Sequence, residues 1–297
     1  MSAEEPPLPK PVNPVIQPIG ENDLDDVCQF LHERLNKKIS PAAWKHALWQ
    51  PNWIAHPPNH GFMIVDQEQV VGVFAALYSE QMIRGKPERF CNQNSWIVLE
   101  PYRHLSMELL RALLAQPGWN ITMLTPNPVV TRVYETRRFQ RLSDRVTVVP
   151  YLPLPRALGG RVITDRQEIL ELLSPDAARD CRNHRSFPWL HQVALGNALG
   201  YCHVVYKLGV WKRLPAAKVL HVCDGRIFSR FHPAISRHLL RRHGVMTTHL
   251  PSRFLPEIPL GAFEIIDTQP RMFWSEHLTE REITHLYTEL AALDLRL

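Results

Sequence analysis

Arg103, His104 and Ser106 stand together in the run Glu100-Pro101-Tyr102-Arg103-His104-Leu105-Ser106-Met107-Glu108, directly after the apolar segment Ser95 to Leu99. A strand that stops at Glu-Pro and turns at once into a helix presents free backbone N–H groups, and the positive end of the helix dipole favours an anion there. Arg103 adds a fork of donors suited to phosphate, and Ser106 adds a hydroxyl. The same residues also fit a solvated turn arginine and an ordinary helix-start serine. A second group, Cys181-x-x-His184, His203, His221 and Cys223, has the residue types of a metal site but the spacing of no common zinc pattern, so no metal is expected. His221 and Cys223 alternate on an expected strand and read as one face of a core. The residues around Cys223 form no nucleophile elbow. A third group, Arg230, Arg237, His238, Arg241, Arg242 and His243, makes a basic helix. It is read either as a solvated face or as part of a channel for an anionic substrate. No helix-turn-helix, zinc-finger or aromatic RNA-binding pattern accompanies it, so nucleic acid is not the expected partner.

The elements that must position these residues follow from periodicity. Residues 1–14 hold five prolines and read as a mobile leader. Val15 to Ile19 is a short strand. A helix capped at Asn22 or Asp23 carries the stripe Leu24, Val27, Cys28, Leu31 and Leu35, and a second starts at Ser40-Pro41. Gly61 to Asp66 and Val70 to Tyr78 form a hairpin, and Arg89 to Leu99 leads into the turn. Leu105, Leu109, Ala112 and Leu113 recur at helical spacing. A strand from Ile121 to Leu124 and a helix carrying Val130, Val133 and Tyr134 complete a βαβ unit. Residues 151–161, YLPLPRALGGR, read as a linker. Beyond it come helices at Asp165 to Leu173 and Pro175 to Asn183, then extended stretches at Tyr201 to Trp211 and Ala217 to Cys223. A helix follows from Pro233 to Arg242, then a strand from Val245 to Leu250. A capping box, Thr279-x-x-Glu282, precedes a last helix carrying Ile283, Leu286, Tyr287 and Leu290. The expected fold class is therefore α/β, in two parts.

Composition sets the outer bounds. A length of 297 residues with 45% hydrophobic and 21% charged residues suits a globular protein with ample core. A net charge of +5 favours an anionic partner without selecting one. Five cysteines, odd in number and never in a Cys-x-x-Cys pair, suit free thiols in a reducing cytoplasm. The start MSAEEPPLPK has no secretory pattern, and Val70 to Tyr78, the longest apolar run, is far too short to span a membrane.

The central unit resembles the GNAT acyltransferases. Their loop commonly reads Arg/Gln-x-x-Gly-x-Gly/Ala, and Arg103 matches it, with Ser106 at the first glycine and Glu108 at the second small residue. Tyr134-Glu135-x-x-Arg138-Phe139 looks like the family's Tyr-Glu-x-x-Gly-Phe, with Arg138 replacing glycine. The resemblance implies two tandem GNAT-like domains, each a mixed β-sheet flanked by helices. An acyl-CoA-binding domain spans 15–150, and a second, degenerate domain spans 162–297. It implies acetyl-CoA or another acyl-CoA as co-substrate, held by Val98, Leu99, Arg103, His104, Leu105, Ser106, Met107 and Asn127. A backbone N–H near Val98 or Leu99 would stabilise an oxyanion, and Tyr134 would be the general acid that protonates the departing thiolate. Glu100, or Glu80, would serve as base. The acceptor is then an amine or hydroxyl of a molecule the sequence does not name. The departures at Ser106 and Glu108 leave a second reading open, a GNAT-shaped binding or scaffold module without activity.

Overall fold

The computed structural model describes residues 11–49, 52–152 and 159–294. It divides into two compact units, Met1–Leu124 and Thr125–Leu297, and contains two mixed seven-stranded sheets.

The first unit begins with β1 (Val15–Pro18), α1 (Leu24–Arg34), α2 (Pro41–Trp49) and β2 (Gly61–Asp66). Two long strands follow, β3 (Gln69–Ile83) and β4 (Lys86–Val98), then α3 (Ser106–Leu114) and β5 (Asn120–Met123). The stripe expected on α1 is buried at Leu24, Val27, Cys28 and Leu31. β1 to β4 pair antiparallel in chain order, while β4 and β5 pair parallel. The β2–β3 and β3–β4 turns place Gln67 and Glu68 (φ 49° and 62°) and Arg84 and Gly85 (φ 52° and 74°) in the left-handed region. That is the twist tight hairpins require, although glycine or asparagine normally supplies it. Gly61 has φ 109°, and a Cβ there would meet Phe74 O at 2.2 Å, so the close passage of β2 over β3 depends on it. Of the leader, residues 1–10 lie outside the described residues. At its end, the amides of Val12 and Asn13 donate to Asp66 Oδ2 and Oδ1 at 2.8 and 2.9 Å, which ties the chain entry to β2.

The second unit opens with α4 (Pro128–Glu135), β6 (Gln140–Arg141) and β7 (Arg145–Pro150). Next come β8 (Arg161–Ile163), α5 (Arg166–Leu172), α6 (Pro175–Asn183), β9 (His191–Asn197), β10 (Gly200–Trp211) and β11 (Leu214–Val222). It closes with α7 (Gly225–His243), β12 (Thr247–Pro251), β13 (Phe263–Ile266), β14 (Met272–Trp274) and α8 (Glu289–Ala292). Its sheet has the order β13-β7-β12-β11-β10-β9-β8, and β14 pairs with β6. The core packs Val193, Leu195, Val204, Tyr206, Val219 and Leu250 of the sheet against Phe228, Phe231, Ile235 and Leu239 of α7.

The two sheets repeat one plan. Strand, two helices, three antiparallel strands, helix and parallel strand describe both β1 to β5 and β8 to β12. In each, the fourth strand carries a bulge against the third: Ser95 is the extra residue on β4, and Leu220 on β11. A bulge bends its strand and sharpens the twist, so the repeat extends to an irregularity as well as to the order of elements.

Three expectations differ from what is observed. Residues 151–161 were expected to separate the halves, whereas the compact units divide between Leu124 and Thr125 and residues 153–158 lie outside the described residues. The reason is visible in β7, which pairs with β12 and β13 and so belongs to the second sheet. α7 starts at Gly225, well before Pro233, because Asp224 caps it through Arg226 N (2.8 Å) and Ile227 N (3.3 Å). The last helix does not form as read. The Thr279–Glu282 capping box is present, but it starts only the 3₁₀ turn Glu280–Glu282. The backbone beyond is spent on tertiary bonds, with Ile283 O accepting from Arg253 and Leu286 O facing His184 Nε2.

Among its described residues, unit 2 buries five imidazoles, His184, His203, His232, His249 and His285. Burial holds His184 and His249 down to about 4, and pushes His203 and His285 well below the ordinary value near 6.5. His184 meets a partly opposing influence, since both of its ring nitrogens face carbonyl oxygens, of Asp180 and Leu286, which favours the imidazolium. A folded pKa below the unfolded one means that acid protonates the unfolded chain first. The stabilisation is full above the unfolded pKa and fades as the pH falls toward the folded one. Urea midpoints should therefore drop steeply between about pH 6.5 and about pH 4, by up to roughly 1.4 kcal/mol per pH unit for each histidine held neutral. Midpoints that stay flat across that window would show that these imidazoles do not govern acid stability.

Candidate active site

The turn expected to bind an anion grows out of β4. Parallel pairing of β4 with β5 covers Phe90↔Asn120, Cys91↔Ile121 and Asn92↔Thr122. The buried Asn92 fixes this register through its amide, which donates to Thr122 Oγ1 at 3.1 Å. Beyond Asn92, β4 runs on through the Ser95 bulge to Val98 without β5 alongside it. The Leu99 amide donates to Val71 O at 2.9 Å, so it is engaged within the sheet. Bonded and non-bonded pairs alternate along an antiparallel ladder, so the Val98 amide, one residue earlier, faces the opposite edge. Of the two amides named from the sequence, only that of Val98 points where β5 has left.

Glu100–Leu105 then forms a 3₁₀ turn, and α3 begins at Ser106. Its buried Tyr102 donates its hydroxyl to Asp66 Oδ2 at 2.8 Å, so the carboxylate that ties down the leader also anchors this turn. Four donors, the amides of Val12, Asn13 and Gln67 and the Tyr102 hydroxyl, hold the Asp66 carboxyl below its ordinary range, the Val12 amide foremost. With Tyr102 pointing inward, Glu100, Arg103 and His104 are exposed, while Leu105, Ser106 and Met107 are half-buried. No residue from Glu100 to Glu108 has a positive φ, so this turn does not require the glycines that Ser106 and Glu108 replace. Glu108 is ion-paired with Arg111, which offsets its charge near the helix start. Arg103 and His104, with the opening backbone of α3, are a donor set that fits a phosphate group. Glu80 is exposed on β3 across from Arg89.

The corresponding turn of unit 2, between β11 and α7, does not fit an anion. The Asp224 carboxylate occupies the first amides of α7, and a Cβ on Gly225 would lie 2.1 Å from Phe254 O, so backbone covers the helix start.

Asn127 and Tyr134 lie on α4, in unit 2. Asn127 is the N-cap, accepting from Val130 N at 2.9 Å. Tyr134 is fully buried, with Phe139 edge-on at 4.5 Å between centroids. Arg138 has φ 63°, so the position where Tyr-Glu-x-x-Gly-Phe carries glycine is left-handed here too.

Other groups came together without a signal in the sequence. Lys218, His249, Asp267 and Arg271 surround a cavity of about 290 Å³ in unit 2, with Trp211 in its wall and Arg271 paired to Asp267 at 2.8 Å. They come from three separate stretches of chain, which no local pattern links. The basic residues of α7 converge as expected: Arg237, His238, Arg241 and Arg242 line a cavity of about 390 Å³. Among the described residues no group of three or more His, Cys, Asp or Glu side chains could hold a metal ion. No described helix is long and apolar enough to cross a membrane.

No family model matches this sequence, and no curated protein matches it. Solved structures do resemble it. A GCN5-related N-acetyltransferase from Anabaena variabilis aligns with TM-score 0.58 at 11% identity, over 88% of this chain and 72% of that one. A GCN5-related N-acetyltransferase from Kribbella flavida aligns with TM-score 0.53 at 16% identity, over 88% and 71%. Eis1 from Mycobacterium abscessus aligns with TM-score 0.52 at 11% identity, over 87% and 73%.

Replacing the exposed, left-handed Arg138 with glycine should stabilise the protein by about 1 kcal/mol, because glycine adopts that conformation without a Cβ clash. A urea titration would read this as a higher midpoint, and an unchanged or lower midpoint would show that the arginine side chain compensates. Those structural matches and the plan repeated in the two sheets show that the chain has the GNAT fold, repeated as two tandem GNAT-like halves.

Proposed function

We propose that this protein is an acyltransferase that moves an acyl group, acetyl in the simplest case, from coenzyme A to an amine or hydroxyl of an acceptor. The observation that carries the reading is the turn from Val98 to Ser106. It pairs exposed Arg103 and His104 with the start of α3, at the end of a strand whose last residues have parted from β5. Acyl-CoA, when bound, supplies an activated thioester and a pyrophosphate. In this reading Arg103, His104 and the backbone at Leu105, Ser106 and Met107 hold the phosphates, and the outward Val98 amide stabilises negative charge on the thioester oxygen. Glu100 is the candidate base and Tyr134 the candidate acid. Asn127 contributes through its cap of α4. The blocked turn of unit 2 supports assigning the cofactor to the first half. The acceptor is a partner of unknown identity, for which the basic face of α7 favours an anionic character. The five free cysteines support a reducing compartment such as the cytoplasm.

A second reading, a GNAT-shaped binding or scaffold module, is favoured by the complete burial of Tyr134. Two variants separate them. Acetyl-CoA at about one hundred times its dissociation constant should add about 2.7 kcal/mol of stability to the wild type. Arg103→Ala should weaken that binding first. Tyr134→Phe should keep the binding and lower turnover by roughly a hundred-fold, measured with a panel of amine and hydroxyl acceptors. Full turnover in the Phe variant would end the acid role, and binding without turnover by the wild type would favour the scaffold.

A further inference from the structure

Cys202 and Cys223 lie outside everything assigned above. Cys202 sits on β10, fully buried, and Cys223 follows the last residue of β11 and is exposed. Their sulfurs are 3.7 Å apart. Each sulfur also accepts a backbone N–H: Asp224 N donates to Cys202 Sγ at 3.2 Å, and His203 N to Cys223 Sγ at 3.1 Å. Such donors stabilise a thiolate, the reactive form of cysteine. The Cys223 thiol is lowered from its ordinary value, chiefly by the S–H of Cys202, while burial raises Cys202. Desolvation of the sulfur opposes the lowering most, and neighbouring Asp224 and Asp180 add to that opposition. The other three cysteines, Cys28, Cys91 and Cys181, are buried and burial raises each of them.

We propose that Cys223 is a nucleophilic thiol that exchanges with low-molecular-weight disulfides, and that Cys202 is its resolving partner. The Cys223 thiolate attacks one sulfur of the disulfide RSSR. The RS–SR bond breaks, a mixed disulfide forms on Cys223, and the first RS⁻ leaves and takes up a proton. The Cys202 sulfur then attacks the Cys223 sulfur, the mixed-disulfide S–S bond breaks, and the departing second RS⁻ takes up the proton that Cys202 loses. The products are one Cys202–Cys223 disulfide and two RSH, so two electrons pass from the protein thiols to RSSR. Exposure makes Cys223 the entry point, and burial leaves Cys202 reachable only from within.

The test uses the full reduced chain, oxidised glutathione as probe, and intact-mass and peptide mapping after alkylation in denaturant. Wild type should lose two of its five alkylatable thiols and carry no glutathione. Cys202→Ala should retain one glutathione on Cys223, and Cys223→Ser should lose no thiol and carry none. Because Cys202 is buried, circular dichroism and a melting curve must accompany its variant. The exposed Cys223→Ser keeps the proposal falsifiable if Cys202→Ala unfolds. The proposal falls if all five wild-type cysteines remain alkylatable, if the modification lands on Cys28, Cys91 or Cys181, or if Cys223→Ser still loses two thiols.

Discussion

Three residue pairs set the geometry of the first unit. The parallel ladder between β4 and β5 lasts only from Phe90 to Asn92, with the Asn92 amide bonded to Thr122 fixing where it starts and stops. A longer ladder would keep β5 against β4 and use the outward amides of its last residues. A one-residue slip would turn the buried polar run of β4 to the wrong face. Because the ladder is short, β4 can bulge at Ser95, part from β5 and deliver Val98 and the turn behind it to an open edge.

The turn depends on a second constraint, the Asp66 carboxylate. It accepts from two leader amides and from Tyr102, so a residue at the end of β2 sets both the chain entry and the inward side of the Glu100–Leu105 turn. With Tyr102 committed inward, Arg103 and His104 face out. The outward placement of Arg103 and His104 thus rests on a bond between residues 36 apart in the chain, and the turn needs no glycine because every residue from Glu100 to Glu108 avoids positive φ.

The second half keeps the plan of the first with the corresponding turn covered. The same order of elements and the same bulge recur, but Asp224 and the Phe254 backbone cover the start of α7. What unit 2 gains is a buried polar interior. His184, His203 and His285 lie there with buried Tyr287 and half-buried Asp180 and Arg253, the last of whose guanidinium meets His285 Nε2 at 2.8 Å. Burial pushes Asp180 up to about 6, despite the hydroxyl of Tyr287, and Arg253 down to about 9. Groups of this kind stabilise a single arrangement only while each keeps its partner.

The sequence by itself determined the fold class, the tandem order and the strand-to-helix turn at Arg103. All three rest on local signals: apolar runs of fixed period, a Pro-marked strand end, and motif spacing within a few residues. It left the long β3–β4 hairpin and the β10–β11 hairpin unread because their turns use Arg84 with Gly85, and Lys212 with Arg213, in place of the usual asparagine-glycine. Only the tertiary structure decided that β7 joins the second sheet, that the segment after Thr279 spends its backbone on Arg253 and His184 instead of a helix, and that Tyr134 is buried. Only it set Cys202 against Cys223, and Lys218 beside Asp267 and Arg271. The physical reason is common to all of these: each is settled by a partner tens of residues away, and the free energy of that contact outweighs a local preference worth a fraction of a kilocalorie per residue.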